Sequence, residues 1–531
     1  MSKKNKARRR GAPGPARTSP ARTGPAQTGP ARTGQDSADQ GVDPKVQRQA
    51  NEIAERSLAS LWEGVASGDP LRAELETSTT MAFPYVLGER DPAEIEKWFD
   101  AALVRGAVRR RTPDGAALLR LLMTLGPPAT RRAASRALAE LTSEGIYPPE
   151  WVTEVGKVTP GQTWRRYDVF GDDEGVAVTF GYAGTEHGIV VQVDLAGIPV
   201  AAAIGVYPDA ARLIEAITGD TGEFDRVDQI SLAEAHDRLL LPLDRAGRDD
   251  SPKLDSRSIA NLPIARSRVR RLPAGEAEPG TVYTAQDRAA AVEEFMKSPP
   301  AAEAVAADEA ATRFWAEVLT GYSGRIPGEP PGQVGPRKIV HILLGHVPNT
   351  FALSPAQRSH LEPAVTAWVR WSAERRDLGE AGTAVLTERL PQVLGLFAQA
   401  YDDPDAVVMR GYASGLATSA ADVAWLSDRV GRRMFALPMP EQHGPLDLAD
   451  PADRRRLVEQ EFGGCTPPPG MTSEEFVDAA GRVVQELWRD DEDNPAYQAA
   501  SRLFADGLAR HDVIHRLAGT PAPTVGSSLV Q

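Results

Sequence analysis

Two histidines near the C-terminus, His511 and His515, stand four residues apart. On an α-helix this spacing places both imidazoles on one face, where they can bind one metal ion together. Asp512 follows the first histidine, at the position where metallopeptidases of the His-Glu-x-x-His type carry the glutamate that polarises the metal-bound water. These residue types indicate one chemistry, a metal-dependent hydrolase in which the histidines hold a divalent transition metal and Asp512 polarises the water.

Two features of the same segment favour a structural role instead. An aspartate reaches one methylene less far than a glutamate, and the 16 residues after His515 contain no Asp, Glu, His or Cys as a third ligand. In the structural interpretation, Gly507 ends one helix, and a short second helix begins with Asp512 in its first turn, where the helix dipole favours an anion. Ile514 and Leu517 then pack inward, and both histidines hydrogen-bond to neighbouring elements.

The motifs of several large enzyme classes are missing from the chain. The only Gly-Lys pair, at residues 156–157, is followed by valine, so there is no Walker A loop, and neither a Gly-x-Ser-x-Gly elbow nor a dinucleotide fingerprint is present. Cys465 is the only cysteine, which excludes an intrachain disulfide and a multi-cysteine zinc site. It follows two glycines and is a candidate nucleophile, but no histidine lies beside it in a recognisable family context. The sequence therefore identifies no catalytic and no cofactor-binding residue.

The charge of the chain is unevenly distributed. Residues 1–34 contain nine Lys and Arg and no acid; since the whole chain carries −13, the remainder carries −22. Residues 15–34 repeat a Pro-Ala-x-Thr-x pentad four times without a large apolar side chain, which predicts a disordered basic tail over residues 1–42. Because a basic arm can contact nucleic acid, residues 1–34 support the hypothesis of a nucleic-acid-associated protein.

Helix signals dominate residues 43–150 and predict a small helical domain. Asp43-Pro44 and Asp91-Pro92 each combine an N-cap residue with proline at the first helical position. Gly106 is expected to end the second of these helices, and Gly126-Pro127-Pro128 separates a further pair of helices.

Residues 164–207 alternate between bulky and small or polar side chains with the period of a β-strand. The bulky members of three such sets are Val176, Val178, Phe180 and Tyr182, then Ile189, Val191 and Val193, then Val200, Ala202, Ile204 and Val206. Turn-rich breaks between the sets predict an antiparallel meander over residues 163–207, with a bulky face and a face of small residues on which a helix can pack. A helix at 209–218, a strand at 224–230 and a further helix complete an α+β domain over residues 151–245.

The remaining sequence predicts a linker region at residues 246–283, a helical domain at 284–518 and a frayed tail at 519–531. The predicted fold class is therefore α+β and mostly α, with a small antiparallel meander between N- and C-terminal helical domains. No apolar run approaches the roughly 18 residues of a membrane span. Because the basic N-terminus is not followed by the apolar stretch of a signal peptide, we expect a cytoplasmic protein with no membrane partner.

A group of residues near the C-terminus forms a recognisable pattern. Its members are Asp493-Asn494-Pro495-Ala496-Tyr497, Leu503, Gly507 and Arg510-His511-Asp512-x-x-His515. This pattern resembles the C-terminal segment of uncharacterised actinobacterial proteins of unknown function that end in Gly-x-x-Arg-His-(Asp/Glu)-x-x-His. The stretches around Thr163-Trp164-Arg165 and Trp368-Val369-Arg370-Trp371 also resemble large actinobacterial proteins. The resemblance implies a bacterial cytosolic protein and carries no activity with it.

Three functions remain open from the sequence. The missing catalytic signatures and the long helical C-terminal part, which offers large surfaces, favour a non-catalytic protein that binds a protein partner or acts as a regulatory scaffold without a cofactor. The first alternative is the metal-dependent hydrolase with His511 and His515 as ligands and a divalent transition metal as cofactor. The second is the nucleic-acid-associated protein that uses residues 1–34.

Overall fold

A computed structural model describes residues 44–86, 92–247, 253–274, 283–323, 328–416, 423–437, 448–489, 494–505 and 508–519. Within these residues the predicted α+β, mostly α class is confirmed, because helices surround one five-stranded antiparallel sheet. The predicted basic tail with its nucleic-acid contact and most of the predicted frayed end lie outside the described residues, as do Asp43, Asp91 and Gly507. None of the described helices is long and apolar enough to cross a membrane.

Six helices make up the N-terminal part of the described chain. They are α1 Pro44–Ala66, α2 Pro70–Met81, α3 Phe83–Val86, α4 Pro92–Arg110, α5 Pro113–Leu125 and α6 Pro128–Ser143. Five of these six begin with proline, whose fixed φ and missing N–H suit the first helical position. The predicted break between α5 and α6 at Gly126-Pro127-Pro128 is confirmed.

Gly106 does not end its helix, so the prediction of a stop there is wrong. α4 continues to Arg110. A Cβ atom on Gly106 would lie 2.4 Å from Leu58 Cδ1, so the missing side chain lets α4 approach α1 closely. A glycine required by helix packing has the same appearance in a sequence as a glycine that ends a helix.

The sheet contains five strands in the order β4-β3-β2-β1-β5, and all neighbours are antiparallel. The strands are β1 Thr159–Asp168, β2 Asp173–Tyr182, β3 Thr185–Asp194, β4 Val200–Tyr207 and β5 Asp225–Gln229. Ala183 and Gly184 connect β2 to β3 with φ angles of 50° and 81°, the positive values that a two-residue type I′ hairpin turn requires. The meander and the additional strand near 224–230 are therefore as predicted.

Both faces of the sheet are covered by helices that follow it in the chain. These are α7 Ala210–Thr218, α8 Leu232–Arg245 and α9 Ser256–Val269. Val176, Val191 and Ile204 belong to the bulky face, which packs on α8 and α9. The small-residue face packs on α7, as expected: a Cβ atom on Gly188 would lie 2.2 Å from Leu213 Cδ2.

The linker predicted at residues 246–283 is wrong at its centre, where α9 forms. Asp255 caps this helix by accepting a hydrogen bond of 2.7 Å from the Ser258 N–H. Leu262 packs against the sheet and Ile264 packs into the core of the N-terminal helices, so α9 joins the two parts of the fold. Its three arginines and one proline conceal this apolar pattern in the sequence.

A serine of α2 compensates for the proline inside α9. Pro263 has no N–H, and its ring disturbs the hydrogen bonds of the preceding turn. Ser78 Oγ donates to the Ala260 carbonyl oxygen at 2.7 Å and accepts from the Ile264 N–H at 3.2 Å. This contact inserts the serine into the helical ladder and holds α9 against α2.

The C-terminal part is helical, as predicted from residue 284 onward, and its buried apolar side chains form two clusters. The first cluster involves α10 Ala285–Met296, α11 Ala302–Ala307, α12 Glu309–Tyr322, α13 Pro336–His341, α14 Val347–Thr350, α16 Leu361–Arg375, α17 Gly379–Glu388 and α18 Leu390–Tyr401. Helix α15, Pro355–Ser359, lies between α14 and α16 in the chain and buries no side chain of its own. The second cluster involves α19 Pro404–Ala413, α20 Val423–Ala436, α21 Pro451–Phe462, α22 Ser473–Trp488, α23 Pro495–Ala505 and α24 Arg510–Ala518. A π-helical turn, Ile342–His346, joins α13 to α14.

Candidate functional site

All three site residues predicted from the sequence lie on α24. His511 and His515 share a face of the helix, with their ring centroids 6.3 Å apart, but they contact different groups. His515 Nε2 lies 3.2 Å from the Thr466 carbonyl oxygen, whereas the partners of His511 are side chains near the end of α21. Asp512 is exposed in the first turn and makes no hydrogen bond or ion pair with a described residue.

The structure does not assemble a complete metal site around this pair from the residues that it describes. Within them, no group of three or more His, Cys, Asp or Glu side chains is arranged to hold a metal ion. The metal-dependent hydrolase with His511 and His515 as ligands stays a prediction. It predicts about one bound transition metal ion per chain by elemental analysis, and the loss of this metal in the variant His515→Ala.

Arg510, which precedes the first histidine, fastens α24 to two other helices. Its guanidinium donates to the Phe435 and Ala436 carbonyl oxygens at 2.6 and 2.7 Å, and to Glu461 Oε1 at 2.5 Å. Ile514 on the same helix is fully buried. These contacts agree with the structural interpretation of the motif, in which polar side chains hold a short terminal helix in place.

The thiol of Cys465, the imidazole of His511 and the carboxylate of Glu461 form a chain of contacts between the end of α21 and α24. Cys465 Sγ is 3.5 Å from His511 Nε2, and His511 Nδ1 is 3.1 Å from Glu461 Oε1. Because an ionised carboxylate only accepts hydrogen bonds, the ring proton belongs on Nδ1, which leaves Nε2 to accept the thiol proton. Sequence reasoning missed this arrangement, since 46 and 50 residues separate His511 from its two partners.

Cys465 is therefore expected to react with glutathione disulfide faster in the native protein than in the variant His511→Gln. At pH 7 the variant should react at least about tenfold more slowly, because general-base assistance to the thiol is lost. The rate of mixed-disulfide formation is measured by mass spectrometry. His515→Gln is the matched control and should react like the wild type, because His515 contacts Thr466 and not the thiol. Equal rates for all three proteins would contradict the activation of Cys465 by His511.

A cavity of about 570 Å³ lies between the N-terminal helices and the pair α8 and α9. Its apolar lining residues are Met81, Leu125, Pro127, Pro128, Leu240, Leu243, Ala246, Leu262, Pro263 and Val269. Two adjacent leucines of α8, Leu240 and Leu241, are each 49% exposed, and only Leu240 lines the cavity. α9, which occupies the predicted linker, supplies one whole side of the wall.

Three polar side chains form a connected group in the cavity wall. Tyr85 is hydrogen-bonded to Glu96, and both interact with Arg266. Arg266 also donates to the carbonyl oxygens of Leu243 and Ala246, at 3.0 and 2.9 Å. Burial is the main cause that raises the pKa of Glu96 above its usual value and raises the pKa of Tyr85 to about 12. These three side chains are thus already engaged with one another.

Five arginines lie in the wall of the cavity or on the surface beside it. We use the name arginine rim for Arg131, Arg132, Arg136, Arg270 and Arg271. Arg131 and Arg270 line the cavity itself, and Arg131 also lines an adjacent depression with Arg132 and Arg136. None of the five has a carboxylate of a described residue within ion-pair distance. The rim therefore carries positive charge that the described part of the protein does not neutralise.

Comparisons with protein-family models, curated proteins and solved structures found no match. No activity is therefore transferred from a relative, and the resemblance of the C-terminal segment to actinobacterial proteins stays a prediction. The chemistry of the cavity and of the C-terminal cluster is what bears on function.

Proposed function

We propose that the protein is a non-catalytic binding protein, and that its cavity between α2–α6 and α8–α9 takes a small, largely apolar molecule. The observation that carries the proposal is the cavity itself, about 570 Å³ in volume and walled mainly by apolar side chains. Pockets that bind small molecules have volumes of about 300–1,000 Å³ and combine apolar walls with a few polar groups. A predicted protein partner is compatible with this function and stays a prediction.

The polar lining supports binding over catalysis. Among the described residues that line the cavity there is no Ser, Thr, Cys, His or Lys, the side chains that most often act as nucleophiles or bases. Its two carboxylates both have partners: Glu96 interacts with Tyr85 and Arg266, and Asp244 has an interaction of its own. Partners of this kind hold both carboxylates in place, where they can orient a ligand.

The test is isothermal titration calorimetry of the full chain with two eight-carbon probes, 1-octanol and octyl phosphate, below the concentration at which they aggregate. We expect at least one of them to bind at one site per chain, with a dissociation constant of about 100 μM or lower, because each buried methylene contributes about 0.8 kcal/mol. Leu240→Trp should narrow the cavity and weaken binding at least about tenfold, as expected for a change of about 1.4 kcal/mol.

Leu241→Trp is the matched control for the filled cavity. Leu241 is as exposed as Leu240 but lies outside the lining, so its replacement adds the same side chain without entering the cavity. The control should bind both probes like the wild type. Saturable binding of neither probe, or equal loss of binding in the two tryptophan variants, would contradict the proposed function.

A further inference from the structure

The positive charge of the arginine rim is unusual for its surroundings. Residues 35–531 carry a net charge of −22, so carboxylates are plentiful on this part of the chain. An exposed arginine therefore has many acids available as ion-pair partners, and other arginines, such as Arg109 and Arg455, do form such pairs. The five arginines of the rim lie close together, and none of them has an acidic ion-pair partner among the described residues.

Two rim arginines are held in place by the end of α5. Arg270 Nη2 donates to the Thr124 carbonyl oxygen at 3.0 Å, and Arg131 Nη1 donates to the Gly126 carbonyl oxygen at 3.4 Å. Carbonyl oxygens at the C-terminus of a helix carry partial negative charge, which favours guanidinium groups there. Since a guanidinium has five N–H donors, most donors of both side chains remain available to a ligand.

The rim arginines also repel one another. Loss of hydration at the cavity mouth lowers the pKa of Arg270 to about 10, and the charges of Arg131, Arg266 and Arg271 act in the same direction. An anion bound between these groups would remove the repulsion and would favour their charged forms. Arginine is well suited to this role, because its planar fork binds the oxygens of a phosphate or carboxylate in pairs.

On the basis of the proposed function, we infer that the ligand of the cavity is an amphiphilic anion: Arg131 and Arg270 bind its phosphate or carboxylate head group, and the apolar wall beside Leu240 and Leu262 holds its chain. Tyr85 and Glu96 already interact with Arg266, so the charge of the ligand belongs beside Arg131 and Arg270, which have no acidic partner among the described residues. The same head group occurs on free amphiphiles and on lipids in a bilayer, and the experiment separates these two sources.

The inference is tested by comparing affinities of the full chain for octyl phosphate, 1-octanol and inorganic phosphate, and by sedimentation with phosphatidic acid vesicles. Octyl phosphate should bind at least about tenfold more tightly than 1-octanol, as expected for a charge-assisted contact. The double variant Arg131→Gln/Arg270→Gln should lose this preference and keep its affinity for 1-octanol. Its fold should be retained, because each arginine is held by one carbonyl oxygen only.

Arg257→Gln is the matched control, since Arg257 is an exposed arginine at the opposite end of α9, about 20 Å from Arg270 at 1.5 Å per residue. It should behave like the wild type. Equal affinities of the wild type for octyl phosphate and 1-octanol would overturn the inference and leave the proposed function standing. Binding of neither probe, or binding of phosphatidic acid vesicles alone, would overturn both. Inorganic phosphate bound as tightly as octyl phosphate would show that the apolar wall contributes nothing to anion recognition, and would overturn the inference; the proposed function would then stand only if 1-octanol also binds.

Discussion

Glu74→Ala is expected to lower the free energy of unfolding by about 3–5 kcal/mol, because it leaves a fully buried arginine without its counter-ion. Glu74 on α2 and Arg268 on α9 are both 0% exposed, and both guanidinium Nη atoms donate to the carboxylate. Arg268 Nε also donates to His187 Nε2 on β3 at 2.9 Å. Chemical denaturation, followed by circular dichroism, measures the change.

The double variant Glu74→Leu/Arg268→Met separates a lost charge balance from lost packing. Replacing both members of a buried ion pair with apolar residues of similar volume removes the desolvation cost of both charges. The double variant should therefore be more stable than Glu74→Ala, although His187 loses the donor to its Nε2. A double variant as unstable as the single variant would show that the charges are not the cause.

Asp100→Asn is expected to become more stable relative to the wild type as the pH rises, by about 4 kcal/mol between pH 4 and pH 8. Asp100 is 2% exposed, and burial is the main cause that raises its pKa to about 7. Thr130 Oγ1 donates to Asp100 Oδ2 at 2.6 Å, but Oδ1 has no partner among the described residues. Denaturation of both proteins across this pH range measures the difference.

The direction of this pH dependence follows from the number of protons that the folded and unfolded states bind. Asp100 has a higher pKa in the folded chain than in the unfolded chain, so between about pH 4 and pH 7 the folded state binds more protons and stability falls as the pH rises. Burial lowers the pKa of His187 to about 3, so below about pH 6.5 this histidine makes stability rise with pH. The effect is the same in the wild type and in Asp100→Asn and cancels from their difference. Asp114→Asn, at a half-exposed carboxylate beside Arg110, is the control and should give a much smaller difference. A pH-independent difference for Asp100→Asn would contradict the prediction.

Much of the sheet is predictable from the sequence because its signal is local. Alternation with period two marks β2 and β3, whose bulky side chains form one continuous face with Ile204 of β4. The predicted position of Ala202 on this face is wrong, because the pairing of β4 shifts at Gln192/Val193, which buries Ala201 and exposes Ala202. β1 gives a weaker pattern, since Arg165 on this strand makes an ion pair of 2.7 Å with Glu174 in place of an apolar contact. The predicted helix on the second face is correct: Gly188 leaves room for Leu213, although Trp164, Val190 and Tyr207 in the same cluster are large.

The elements that build the sites are less predictable because their contacts are distant in sequence. Helix α9 depends on Ser78, which is 186 residues from Ile264, and on Glu74, which is 194 residues from Arg268. Read locally, its proline and arginines indicate an exposed connection, and only the partners on α2 make it a buried helix. The same distance hides Glu461, 50 residues before His511, from any reading of the C-terminal motif.

The buried ion pair and the cavity are neighbours on one helix. Arg268 is held by Glu74 and His187, whereas Arg266 and Arg270, two positions before and after it, reach the cavity. The ion pair therefore holds the rotation of α9, and with it the direction of Arg270, which binds the ligand in the inference above. Loss of Glu74 should consequently weaken octyl phosphate binding as well as stability.

Hydrogen–deuterium exchange of the full chain with and without octyl phosphate tests most directly whether this cavity is the ligand site. We expect the ligand to slow exchange in α9, in the junction between α5 and α6 and at the end of α8, which together form the cavity. Exchange in α21 and α24, which lie in a different hydrophobic cluster, should stay unchanged. Unchanged exchange in α9 under saturating ligand, or protection confined to the C-terminal helices, would contradict a binding protein organised around this cavity.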